Sequence, residues 1–64
     1  MTVLVLHNHD VRYVLDPMKI TSFQGSIEYN LTEVTFINYV NEIDEVLVDE
    51  SSEEIEALIK SCLH

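Results

Sequence analysis

Val46-Leu47-Val48-Asp49-Glu50-Ser51-Ser52-Glu53-Glu54-Ile55-Glu56-Ala57-Leu58-Ile59-Lys60-Ser61-Cys62-Leu63, VLVDESSEEIEALIKSCL, changes its period part-way along. Val46 to Val48 is a short apolar, β-branched run that reads as a strand. From Ile55 the apolar residues fall at Ile55, Leu58, Ile59, Cys62 and Leu63, the i, i+3, i+4, i+7, i+8 stripe of one helical face. Between the two lies Ser51-Ser52-Glu53-Glu54, in which Ser51 and Glu54 fit a capping box. Glu53 and Glu54 suit the positive end of the helix dipole, and Glu56 with Lys60 makes an i, i+4 pair on the wet side. A strand therefore hands over directly to a C-terminal helix.

Upstream the pattern is all strand. Val3 to Leu6 is apolar on both faces, and Val11 to Leu15 places Val11, Tyr13 and Leu15 on one side. His7-Asn8-His9-Asp10 between them reads as a hairpin turn, since Asn and Asp tolerate the positive φ that tight turns need. Asp16-Pro17 ends the second strand, because proline cannot donate to a ladder. Ile20 to Tyr29 reads as a third strand with Phe23, Ile27 and Tyr29 in phase, and Gly25 suggests a bulge in its middle. Asn30-Leu31 is the next turn. Thr32 to Val40 carries Val34, Phe36 and Val40 on one face and Thr35, Ile37 and Tyr39 on the other. Asn41 to Asp44 is turn-like, with Ile43 inside it. The expectation is one α+β domain over residues 1–64: a small antiparallel β-meander of about five strands, open to barrel-like closure, ending in one helix.

Three segments resemble the small flagellar FlbD-like proteins. Leu15-Asp16-Pro17-Met18-Lys19-Ile20-Thr21-Ser22-Phe23 is similar to their L-N-P-x-x-I-x-x-I segment, and Thr32-Glu33-Val34-Thr35-Phe36-Ile37-Asn38 to their T-x-I-x-L-x-N strand. Val46 to Ile55 is similar to their V-x-E-S-x-E-E-V entry to the last helix. The family's Asn-Gly hairpin is replaced here by Asn38 to Asp44, which contains no glycine. The resemblance implies a structural adaptor in a larger assembly and no catalytic residues.

Charge is the strongest global signal. Arg12, Lys19 and Lys60 face twelve acidic residues, a formal net charge of -9. Nucleic acid and anionic membrane surfaces are repelled by such a chain, whereas a basic protein surface is attracted. Glu42, Asp44, Glu45, Asp49, Glu50, Glu53, Glu54 and Glu56 crowd into fifteen residues without a base. A charge run of this kind usually signals disorder. Here Ile43, Val46, Leu47, Val48 and Ile55 interleave the acids and can bury, so an ordered surface of one sign is the better reading. These eight are the candidate partner-binding residues. The plain alternative is that they only keep a small apolar protein soluble.

Leu6-His7-Asn8-His9-Asp10 concentrates His7, His9 and Asp10, three potential metal ligands. His7 and His9 would share one side of a strand, but a catalytic zinc needs a third protein ligand, and His64 and the acidic cluster are the distant candidates. A solvated turn accounts for the same residues. Cys62 sits on the apolar helical stripe in an acidic neighbourhood, the setting of a small buried hydrophobe rather than a nucleophile. No phosphate-binding or nucleophile-elbow motif is present, and one glycine could not build one. Tyr13, Tyr29 and Tyr39 are either half-buried strand residues or interface anchors.

A lone cysteine excludes an internal disulfide and favours a reducing, cytoplasmic home; no targeting or membrane segment is expected. So short a chain, with Val3 to Leu6 apolar on both faces, also favours a homodimer or a tight complex. Three functions are open: a non-enzymatic, stoichiometric inhibitor of a basic or nucleic-acid-binding protein, as in phage or mobile-element anti-CRISPR and anti-restriction proteins; a FlbD-like adaptor; or a metal-dependent role at His7, His9 and Asp10. No cofactor is expected.

Overall fold

The computed structural model describes residues 3–26, 28 and 30–62. Strands β1 (Leu4–Asn8) and β2 (Val11–Leu15) form an antiparallel hairpin. Strands β3 (Ile20–Ser26), β4 (Leu31–Ile37) and β5 (Ile43–Val48) form a separate antiparallel sheet in that order, and helix α1 (Ser52–Cys62) follows. Pro17 separates the two sheets. It opens a 3-10 turn, Pro17–Lys19, capped by Asp16, whose Oδ1 accepts from the Met18 amide at 2.9 Å. No ladder among the described residues closes the sheets into a barrel.

Alternation decides what is buried. Leu4 and Leu6 of β1 and Leu15 of β2 point inwards, while Val3, Val5 and Val14 stay exposed on the outer face of the hairpin. Val34 and Val48 supply the inner face of the second sheet, and Ile55 closes the core from α1; the last three are fully buried. Tyr13, Phe23, Phe36, Val46, Ile59 and Cys62 pack around this centre. The helix begins as expected, with Ser51 Oγ accepting from the Glu54 amide at 3.2 Å. Leu58, placed on the apolar stripe by its spacing, is 39% exposed, so the buried face is narrower than the sequence pattern.

Several local expectations need correction. Gly25 pairs in register with Thr32 at an ordinary φ, and the irregularity in β3 lies between Ile20 and Ser22 instead. β4 stops at Ile37 rather than Val40. The Asn38 side chain takes over there, its Oδ1 accepting from the amides of Val40 (3.1 Å) and Glu42 (3.0 Å). Tyr39, Val40 and Asn41 then form a three-residue loop closed by Asn38 N–H to the Glu42 carbonyl at 2.8 Å, with Asn41 at φ 65 in the place glycine usually takes. β5 accordingly starts at Ile43, inside the expected turn. In the first hairpin, positive φ falls on His9 (φ 55) and not on Asn8 or Asp10. Ile27, Tyr29, Leu63 and His64 lie outside the described residues.

Ile55 is the one helical side chain that reaches the centre of the core. Ile55→Ala should cost about 2–5 kcal/mol, the range for emptying a fully buried aliphatic site. A domain of this size has only roughly 3–10 kcal/mol in total. Chemical denaturation should therefore show a variant that is largely unfolded or strongly shifted in midpoint, whereas Leu58→Ala should shift it little.

Candidate functional site

The eight carboxylates of the acidic run do not form one surface. Two of them are hydrogen-bonded to the first hairpin. Glu50 Oε1 accepts from the His7 amide at 2.8 Å, and its Oε2 lies 2.7 Å from His7 Nδ1. Asp49 Oδ2 accepts from the His9 amide at 2.7 Å, while the Asp49 amide donates to the His7 carbonyl at 2.6 Å. Asn8 Nδ2 completes the seam by donating to the Leu47 carbonyl at 2.9 Å. Asp49 thus bridges His7 and His9 as a residue of a neighbouring strand would, with its carboxylate standing where a backbone carbonyl would accept. The hairpin tip is a turn, and it is also the clasp between the two sheets.

Partial burial by itself pushes the Glu50 carboxyl up, but the hydrogen bonds from the His7 ring and amide outweigh it and hold the group below its ordinary value. The Glu50 side chain is only 14% exposed. His7, His9 and Asp10 do not converge on a common point: the ring of His7 faces Glu50, and His9 and Asp10 form the exposed turn. Among the described residues no group of three or more His, Cys, Asp or Glu side chains is placed to hold a metal ion.

The other six acids are exposed in two groups. Glu53, Glu54 and Glu56 occupy the first turns of α1, with Glu56 paired to Lys60 at 3.1 Å. Glu42 immediately precedes β5, and Asp44 and Glu45 lie at its start, about 17 Å and 14 Å along the strand from Asp49 at the usual rise. Alternation separates these three as well. Asp44, opposite Phe36, follows the inner face at the open end of the sheet, and its Oδ1 accepts from the Glu45 amide at 2.8 Å. Glu45, opposite Thr35, is on the outer face.

There Glu45 meets a residue that the sequence reading did not select. Glu33 of β4 is opposite Leu47, one diagonal step away. Hydrogen bonding with the Glu33 carboxyl, then its negative charge, and to a lesser degree burial and Asp44, hold the Glu45 carboxyl above its ordinary value. The ladder neighbours Ser22, Gln24, Thr35 and Leu47 bring no positive charge. Glu33 stands nine residues before Glu42 in the chain and joins the cluster only through strand register. No family model, no curated protein and no solved structure matches this chain.

The clasp sets a pH dependence whose sign follows from Glu50. A carboxyl lowered in the folded state stabilises fully above its unfolded value, near 4.5, and loses that contribution as pH falls through the lower folded value. Glu50→Ala should cost about 1.5–3 kcal/mol at neutral pH, the range for hydrogen bonds to a charged group. Thermal melts against pH should show that deficit shrinking below pH 4.5. A deficit that stays constant into the acid range would mean that the ionised carboxylate is not what ties the hairpin down.

Proposed function

We propose that this chain is a non-enzymatic, acidic protein-binding module that inhibits a basic, nucleic-acid-binding partner stoichiometrically by occupying its groove, in the manner of small anti-defence proteins of phages and mobile elements. The observation that carries this reading is the Glu33–Glu45 pair. Like charges on neighbouring strands destabilise a sheet, and here they meet on an open face without a neutralising neighbour on the adjoining ladder positions. Such a pair is relieved when a guanidinium or ammonium group arrives from another molecule. Exposed Glu42 and Asp44, at the open end of the sheet, add negative charge near it. Exposed carboxylates contribute little singly, about 0.2–1 kcal/mol each, so they act together, mainly on association rate and on choice of partner.

Asp49 and Glu50 are left out of this surface because Glu50 accepts from the hairpin with both oxygens and Asp49 with Oδ2. Reversing them would confuse loss of binding with loss of fold. The informative variant reverses Glu33, Glu42, Asp44 and Glu45 to lysine. The wild-type chain should capture a basic protein from its source cell, release it as salt is raised, and release it to competing duplex DNA. The fourfold reversal should capture none of it while keeping the circular dichroism of the wild type. Capture that ignores both salt and DNA would instead favour the adaptor role implied by the flagellar resemblance, and capture unchanged by the reversal would remove the acidic surface from consideration.

A stability signature accompanies binding. Because the Glu45 carboxyl is raised in the folded state, its ionisation weighs against folding increasingly as pH rises above about 4.5. Glu45→Gln should therefore raise the melting temperature at neutral pH, with no gain below pH 4.5, while weakening partner capture. A variant that is neither more stable nor weaker in binding would contradict the functional reading of the pair.

A further inference from the structure

β3 is the end strand of its sheet. Exposed edges ordinarily carry charge, proline or a bulge, which discourage pairing with another chain. Ile20–Ser26 holds neither charge nor proline, and its one irregularity, between Ile20 and Ser22, leaves Ser22 to Ser26 regular. Which backbone groups this edge presents follows from the far side of the sheet. The Asn38 amide donates to the Glu42 carbonyl, so along β4 the backbone groups of even-numbered residues face β5 and those of odd-numbered residues face β3. Leu31, Glu33 and Thr35 pair with Ser26, Gln24 and Ser22, whose backbone groups therefore point at β4. Phe23 and Gly25 direct their N–H and C=O away from the sheet, where no other strand among the described residues pairs with them. Gly25 is exposed. A β-carbon added to it would have nothing within 4 Å, and its φ is not left-handed, so neither packing nor turn geometry calls for glycine there. A glycine inside a strand weakens it and often marks the close approach of another backbone.

We propose that this edge takes an extended basic segment of the partner as a further strand, its backbone bonded to Phe23 and Gly25 and its lysine or arginine side chains reaching over Gln24 to Glu33. The inference rests on the acidic-surface reading above and names how the partner is held. In strand addition the main-chain bonds supply affinity and the alternate side chains supply selectivity. Charge selects the occupant. Ser22, Gln24 and Ser26 share the outer face with Glu33 and Glu45, and none of them brings a positive charge. Glu33 lies directly opposite Gln24, two strand spacings or about 10 Å from the added strand. A second copy of this chain would bring the same net charge of -9 to the same edge and be repelled. The edge strand of the other sheet, β2, carries Arg12, which repels a basic segment.

Titration with an eight-residue peptide of alternating lysine and threonine, followed by amide NMR, tests the proposal. The same peptide N-methylated at every amide keeps the charge but cannot donate to a ladder. The plain peptide should bind the wild type, weaken as salt is raised, and slow exchange at the amides of Phe23 and Gly25. The methylated peptide should bind about 10-fold more weakly, the scale of one or two lost hydrogen bonds. Gly25→Pro removes an outward amide and no bond to β4, as proline on an edge strand does. It should cost the plain peptide the same factor and the methylated peptide nothing. Equal binding of the two peptides to the wild type, lost when Glu33, Glu42, Asp44 and Glu45 are reversed to lysine, would overturn strand addition and leave the acidic surface standing. Protection along β5 instead of at Phe23 and Gly25 would overturn it as well, and so would binding of neither peptide, with the capture experiment still deciding the inhibitor reading. A chain that dimerises alone, and loses the dimer in Gly25→Pro, would give the edge to a second copy and contradict the proposal.

Discussion

The hydrogen bonds between Asp49, Glu50 and the first hairpin are the constraint on which the rest of the structure depends. The two sheets share no ladder, so the hairpin would otherwise be held by the Asn8–Leu47 hydrogen bond and by apolar contact through Leu4, Leu6 and Leu15. Hydrophobic contact is non-directional and sets no unique orientation. The clasp does. It fixes the end of β5 against the tip of β1, and the next residue, Ser51, caps α1 so that Ile55 enters the gap between the sheets. One short segment, Asp49-Glu50-Ser51, thereby positions all three layers.

That commitment changes the meaning of the acidic run. A one-signed series of eight carboxylates invites reading as one electrostatic surface. The fold divides it into two structural acceptors, a helix start, and an open sheet end that recruits Glu33 from another strand. The division follows from strand alternation and from the few backbone amides at the hairpin tip that lack a ladder partner. The amides of His7 and His9 are the ones bonded by Glu50 and Asp49. What remains exposed is the charge that folding does not use.

The elements were legible in the sequence because each carries a local cause. Pro17 ends β2, the Ser51 cap starts α1, and Val34 with Phe36 marks one face of β4, whereas Val3 to Leu6, apolar on both faces, left the inner side of β1 undecided. The boundaries that misled were those settled by side-chain competition or by pairing. Asn38 draws the chain out of β4 three residues early, which lets β5 start at Ile43. Asn41 and His9 take the left-handed positions that glycine, or Asn8 and Asp10, would have been expected to fill. The candidate site was less legible than the fold. Neither the Glu33–Glu45 contact nor the engagement of His7 with Glu50, 43 residues apart, leaves a mark on local sequence. Both depend on which strands are neighbours.

Native-state hydrogen exchange at the amides of His7, His9 and Asp49 tests the clasp most directly. These protons sit at a hairpin tip and a strand end, where exchange through local fraying is the ordinary expectation. If the carboxylates of Glu50 and Asp49 lock the two sheets together, the three amides exchange only through global unfolding, at the same opening free energy as Val34 and Val48. Exchange as fast as that of the exposed β4–β5 loop would contradict the account.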